Sequence, residues 1–195
     1  MSGGARERAA AKLLAGAGLE HDQAQAALAA SFSVTAMEVP GALLDEASLP
    51  LFGAGELGVA EQAHALADLL TNRLCLSPDR RDHRALLIDH ALTQRSAHPL
   101  QIAVIGHELA RRAGVASFVG ACAGEPWTVL RGDGEMALVG PGSAASPKAA
   151  EVRARCPHQV AHTVLSQIRA TAPPDSARRA ERLLRAVPVR GCRRD

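Results

Sequence analysis

Apolar residues recur every three or four positions along most of this chain, and the rhythm gives way once to a block of short β-rich runs. Residues 5–31 follow the helical spacing, and Gly16 and Gly18 divide them into two helices. Across residues 39–58 the pattern breaks up. Pro40, Gly41, Pro50, Gly53, Gly55 and Gly58 predict a loop with at most short helical turns. The rhythm resumes over residues 59–74, where Leu66, Leu69, Leu70 and Leu74 share a side and Glu61, Gln62, Asp68 and Asn72 supply the wet face. Ser77-Pro78-Asp79 then predicts a polar loop capping a helix over about residues 82–93, with Leu86, Leu87 and Leu92 inward.

The clearest signal starts at His98-Pro99. Pro99 suits a first helical turn, because its fixed φ is helical and its missing N–H has no partner to lose there. Ile102, Ile105, Leu109 and Ala113 stand at i, i+3, i+7 and i+11, so one face of the helix is predicted to be buried. Gly114 supplies the left-handed stop, and Arg111 and Arg112 sit in the last turn, where the helix dipole favours positive charge. Residues 115–121, 127–131 and 136–139 then read as strands, with Gly132-Asp133-Gly134 joining the last two as a hairpin. Gly140-Pro141-Gly142 is expected to end the sheet, and residues 143–149 to form a small-residue linker. Helices over about residues 157–169 and 175–185 follow, parted by Pro173-Pro174, and residues 187–195 form a loose basic tail. The reading is α+β, with a helical N-terminal region (1–58), a core (59–142) and a helical tail (143–195).

Composition narrows the possible partners. Three Phe, one Trp and no Tyr make the core aliphatic and leave few rings on which bases could stack. The net charge is +2, with no basic stripe before the end of the chain. Arg185, Arg190, Arg193 and Arg194 in the tail accompany no nucleic-acid motif, so no nucleic-acid partner is expected. Arg6 and Arg8 precede a short small-residue run, but Lys12 interrupts it and Glu20-His21-Asp22 follows, so an amphipathic helix is expected in place of an export signal. No stretch approaches the ~18–20 apolar residues of a membrane span, and no membrane partner is expected. Cys75, Cys122, Cys156 and Cys192 are widely spaced with no CxxC pair, which suits free thiols in a reducing, cytoplasmic compartment.

Several residues invite chemistry. Cys122 ends the first predicted strand and would need His98 or His107 as a base to act as a nucleophile. His107-Glu108 begins like a zinc-protease HExxH motif, but Arg111 stands where the second His belongs. Cys156, His158 and His162 have the spacing of three zinc ligands without an evident fourth. Gly132-Asp133-Gly134 is a turn and not a phosphate loop.

A family resemblance gathers these pieces. The runs Leu70-Thr71-Asn72-Arg73-Leu74 and Pro78-Asp79-Arg80-Arg81-Asp82, followed by residues 86–97, precede the helix that contains Pro99-Leu100-Gln101-Ile102-Ala103-Val104 and Ala110-Arg111-Arg112-Ala113-Gly114-Val115. Their order is similar to that of bacterial transglutaminase-like proteins of the invasion-regulator type, over roughly residues 60–188. Residues 180–188 resemble the start of a tetratricopeptide-like repeat. The resemblance implies a papain/transglutaminase-like core, a buried helix on an antiparallel meander. It also implies a Cys–His–Asp triad, and here this chain departs from the family. Gln101 stands at the nucleophile position, Glu125-Pro126-Trp127-Thr128 replaces the His-bearing element, and Gly140-Pro141 replaces the Asp-Pro. A carboxamide cannot attack, an indole cannot serve as base, and a glycine orients nothing.

The resemblance therefore implies a pseudoenzyme without cofactor, a binding or regulatory module for a protein, peptide or small ligand. Its cleft would be lined by Gln101, Trp127, Thr128 and Gly140, with Trp127 buried in the space of the lost site. A partial helical repeat needs a neighbour for its apolar face, so a homodimer or heteromer is expected. The alternative is a hydrolase or transferase with a rebuilt site, using Cys122 with His98 or His107, or a metal on Cys156, His158 and His162.

Overall fold

The computed structural model describes residues 3–33, 38–146 and 151–188. The first two helices, α1 (Gly3–Leu14) and α2 (His21–Phe32), are parted where the glycines predict, and Gly18 takes the left-handed φ of +73° that lets the chain reverse. The expected loop after them is a helix over half its length, α3 (Val39–Ser48). Pro40 lies in its first turn, where a missing donor is harmless, and Leu44 is fully buried on its inner side. Two 3₁₀ turns, Leu49–Leu51 and Ala54–Glu56, complete the connection. α4 (Val59–Asp68) then widens into a π-helical turn, Leu69–Arg73.

The polar loop contains β1 (Ser77–Pro78), which pairs in parallel with β2 (Ser96–Ala97). The helix expected over 82–93 is split. A 3₁₀ turn at His83–Leu86, capped by the Asp82 side chain, ends at Leu87, whose extended backbone resets the chain for α5 (Ile88–Gln94). α6 (Pro99–Arg112) has the predicted bounds, and Gly114 has a φ of +76°.

An antiparallel meander follows α6 directly: β3 (Ser117–Cys122), β4 (Glu125–Arg131) and β5 (Met136–Gly140). The sheet does not end at Gly140. Gly142, at a φ of +67°, turns the chain back as β6 (Ser143–Ala145), and β7 (Val152–Ala154) pairs with β3, giving the order β6-β5-β4-β3-β7. Edge strands this short are held by backbone hydrogen bonds, so their small residues need no apolar alternation. α7 (Pro157–Thr171) and α8 (Pro174–Leu184) close the described chain.

The architecture is mixed α+β, and α6 is its centre. Burial runs unbroken from Leu100 to Ala110, more than the single apolar face predicted. The reason is a second layer. Ile102, Ile105 and Leu109 join a cluster with α4, Leu130, Ala137 and Val139, while Leu100, Ala103 and Val104 join another built from α1, α2, α7 and α8. The N-terminal helices and the helical tail thus share one apolar cluster over α6. The sheet approaches α6 closely. Thr128 donates to the Ala103 carbonyl at 3.0 Å, and a Cβ at Gly106 would stand 2.2 Å from Thr128 Oγ1, so only glycine fits there.

Cys75 and Cys122 are free thiols, but Cys156 is disulfide-bonded, contrary to the expectation of free cysteines throughout. Wide spacing along a chain does not by itself keep thiols apart once it folds. Cys192, Arg190, Arg193 and Arg194 lie outside the described residues. No helix among the described residues is long and apolar enough to cross a membrane.

Candidate functional site

A cavity of about 150 Å³ opens where the first turn of α6 meets β4 and β5. Ile102, Ala103 and Val139 give it an aliphatic lining, and Pro99, Pro126 and Pro141 stiffen its walls. Trp127 lies against Gly140, where a Cβ would come within 3.1 Å of the indole edge. Glu125, on the lining, is ion-paired with Arg80; the other polar side chains there are Ser143 and the indole itself.

The amides that open α6 are already engaged. Pro99 has no N–H. Leu100 donates to His98 Nδ1 at 3.2 Å, and Gln101 and Ile102 donate to the His98 carbonyl at 2.7 and 3.0 Å. A helix N-terminus activates a thiol or holds an oxyanion through free first-turn donors. Here His98 consumes them. Burial first, then the neighbouring Arg80 guanidinium, hold the His98 pKa below the usual histidine range, which keeps the ring neutral and able to accept.

The four residues expected to line this cleft divide evenly. Trp127 and Gly140 do line it, with Trp127 half-buried and not fully enclosed as expected. Gln101 and Thr128 do not. Gln101 is turned about 100° around α6 from Ile102, fully buried, and neither of its amide atoms has a hydrogen-bond partner. Thr128 lies beneath the helix, spent on Ala103.

The alternative nucleophile is not assembled with its bases. Cys122 lines a different cavity of about 510 Å³, at the β3–β4 turn, in the company of Glu151, Arg153 and Arg155. His98 caps α6. His107 Nδ1 is 2.9 Å from Ser117 Oγ at the start of β3. The proposed zinc set is also dispersed: Cys156 is in a disulfide, His158 Nε2 bonds the Gly16 carbonyl at 3.1 Å, and His162 Nδ1 lies 3.5 Å from Ser166 Oγ. Among the described residues no group of three His, Cys, Asp or Glu side chains could hold a metal ion.

The densest polar constellation lies on the α2 side of α6, and only its residue types were visible beforehand. Glu108, fully buried, accepts from Arg111 at 2.8 and 3.1 Å and from Arg112. Asp22 accepts from both arginines at 3.1 and 3.2 Å, and Asp45 from Arg112 at 2.6 Å, so α2, α3 and α6 are tied together. Beside them the His21 and His107 rings meet edge to face at 5.1 Å. Burial, reinforced by His107, lowers the His21 pKa to about 3, and burial lowers that of His107 as well. Glu108, Arg111 and Arg112 at i, i+3 and i+4 were the available sequence signal, since helical spacing brings them together.

No protein-family model, curated protein or solved structure matches the chain.

Proposed function

We propose that this chain is a catalytically inactive, transglutaminase-like scaffold whose groove beside α6 takes an apolar residue of a peptide or a small apolar ligand. The reading rests on the helix-then-meander order of α6, β3, β4 and β5, with the groove where that family's helix N-terminus meets its strands. One observation carries it. The groove lining holds neither thiol nor imidazole, and the α6 amides that would polarise a substrate are bonded to His98. A concave, largely apolar site with a few polar groups at its rim is suited to binding. Its volume suits a single aliphatic or aromatic side chain.

Trp127, the only Trp in the chain, reports occupancy. Acetylated tripeptides with a central Leu, Phe or Asp are titrated while indole emission is followed. The Leu and Phe peptides are expected to shift the emission and the Asp peptide not to. Ser143→Phe, an exposed position on the lining, is expected to block the response. Equal responses to all three peptides, or none to any, would overturn the reading.

A second reading has one observation in its favour: the free Cys122 thiol in its own cavity with Arg153 and Arg155. It requires Cys122 to react with iodoacetamide far faster than Cys75, which serves as an exposed control in the same molecule. Comparable rates at the two cysteines remove it.

A further inference from the structure

The connection between α3 and α4 is built as a knob. Its inner side is fixed by Leu51 and Ala54, both buried in the α4–α6 cluster. Gly55 lies so close to the end of α6 that a Cβ there would stand 3.3 Å from the Gly114 carbonyl oxygen. Two consecutive 3₁₀ turns, with Gly53 left-handed at a φ of +84° between them, leave little freedom to the rest. On this fixed base three large apolar side chains face outward: Leu49 is 67% exposed, Phe52 90% and Leu57 45%. Phe52 is one of only three Phe in a chain without Tyr. Holding it in water contributes nothing to the core. Exposed apolar groups concentrated on a rigid element mark an interaction surface.

The charge around the knob narrows its partner. Residues 13–72 contain no Lys or Arg, and the two arginines that end α6 beside Gly55 are ion-paired with Asp22, Asp45 and Glu108. Glu46 closes the last turn of α3 before Leu49, Glu56 adjoins Leu57, and Glu61 follows in α4, all three exposed. Apolar anchors bordered by carboxylates complement a pocket bordered by cations. The same carboxylates repel the anionic headgroups that attract most peripheral proteins. We propose that the 49–57 knob docks into an apolar pocket of a protein partner whose rim carries Lys and Arg, with Phe52 as the central anchor. This surface is separate from the groove beside α6, and neither reading needs the other.

Two synthetic amphipathic helices test it, alike in a Leu face and differing in Lys or Glu at the remaining positions. Each is titrated into the full chain by calorimetry at low and at high salt. The Lys peptide is expected to bind, to weaken as salt screens the carboxylates, and to weaken about tenfold or more in Phe52→Ser, the loss of a central anchor. A joint Glu46→Gln and Glu56→Gln variant is expected to reduce the salt dependence. Phe52 is exposed, so its variant should unfold at the wild-type temperature, which separates lost binding from lost fold. Equal binding of both peptides, or Lys-peptide binding indifferent to Phe52→Ser, would overturn the proposal. So would two further results: self-association of the chain in sedimentation that Phe52→Ser abolishes, and vesicle binding that depends on Phe52.

Discussion

α6 separates two regions of opposite chemistry. Toward β4 and β5 lies a small groove of aliphatic residues, prolines and one indole. Toward α2 and α3 lie two imidazoles, three carboxylates and two guanidiniums packed into one interface. The groove has room for a ligand and almost no reactive groups. The interface is rich in ionisable groups, most of them occupied with one another, although Glu108 Oε1 and His21 Nδ1 have no hydrogen-bond partner. Glu108 is held by two arginines, and the His21–His107 contact is closed by Ser117 and the Arg155 backbone. Perturbed titration here accompanies the ring packing and ion pairs that join α2 and α3 to α6. The open space of the groove and the ionisable groups of this interface thus lie on different sides of one helix.

Three measurements sharpen or break that contrast. The largest effect is expected at Glu108. Glu108→Ala removes the buried anion but leaves Arg112 on Asp22 and Asp45 and the partly exposed Arg111 on Asp22, so a loss of about 3 kcal/mol, the low end for a broken buried pair, is expected in urea unfolding. A loss below about 1 kcal/mol would mean that the interface is not structural, and the comparison would fail.

Acid comes next. The folded His21 pKa of about 3 lies below its ordinary 6.5, so the unfolded chain takes up the proton first. The stabilisation is complete above about pH 6.5 and is lost as pH falls from there toward about 3. His21 then costs about 1.4 kcal/mol per pH unit in that window. Between about pH 6.5 and about pH 4.5 that amounts to about 2–3 kcal/mol for His21 alone. His107, lowered by the same burial, adds to the slope. Unfolding free energy measured across the window should fall accordingly and flatten partly in His21→Leu. A profile unchanged by that substitution would place the acid sensitivity elsewhere.

The smallest effect belongs to the groove side. Thr128→Val keeps the shape beneath α6 and removes the hydrogen bond to Ala103, for an expected loss of about 1 kcal/mol in the same unfolding assay. A loss as large as that at Glu108 would mean that the groove side of α6 also depends on buried polar contacts.

Much of the frame was legible because local chemistry dictates it. Gly16 and Gly18 part α1 from α2, Pro99 and Gly114 bracket α6, and Gly132 to Gly134 turn β4 into β5. Other elements escaped because their signals were ambiguous or absent. Pro40 and Gly41 look like breakers, yet a proline in the first turn is a start, and Leu44 supplies the burial that holds α3. Ser143-Ala144-Ala145 has no strand-like alternation and becomes β6 only because β5 offers a free edge. Within the site, Trp127 and Gly140 were legible as residues facing α6. Gln101 was placed on the right helix and the wrong side of it, since a buried polar residue says nothing of which neighbour buries it.

By itself, the sequence determined the helix and strand boundaries where glycine and proline act on their own φ angles, and it determined which side chains are present to do chemistry. Only the tertiary structure decided how those side chains are spent. Packing α2 and α3 against α6 turned His107, Glu108, Arg111 and Arg112 into a structural tie, and the meander left a small groove at the first turn of the same helix. That division depends on contacts between residues far apart in the chain, such as Asp22 with Arg112, and no local periodicity encodes them.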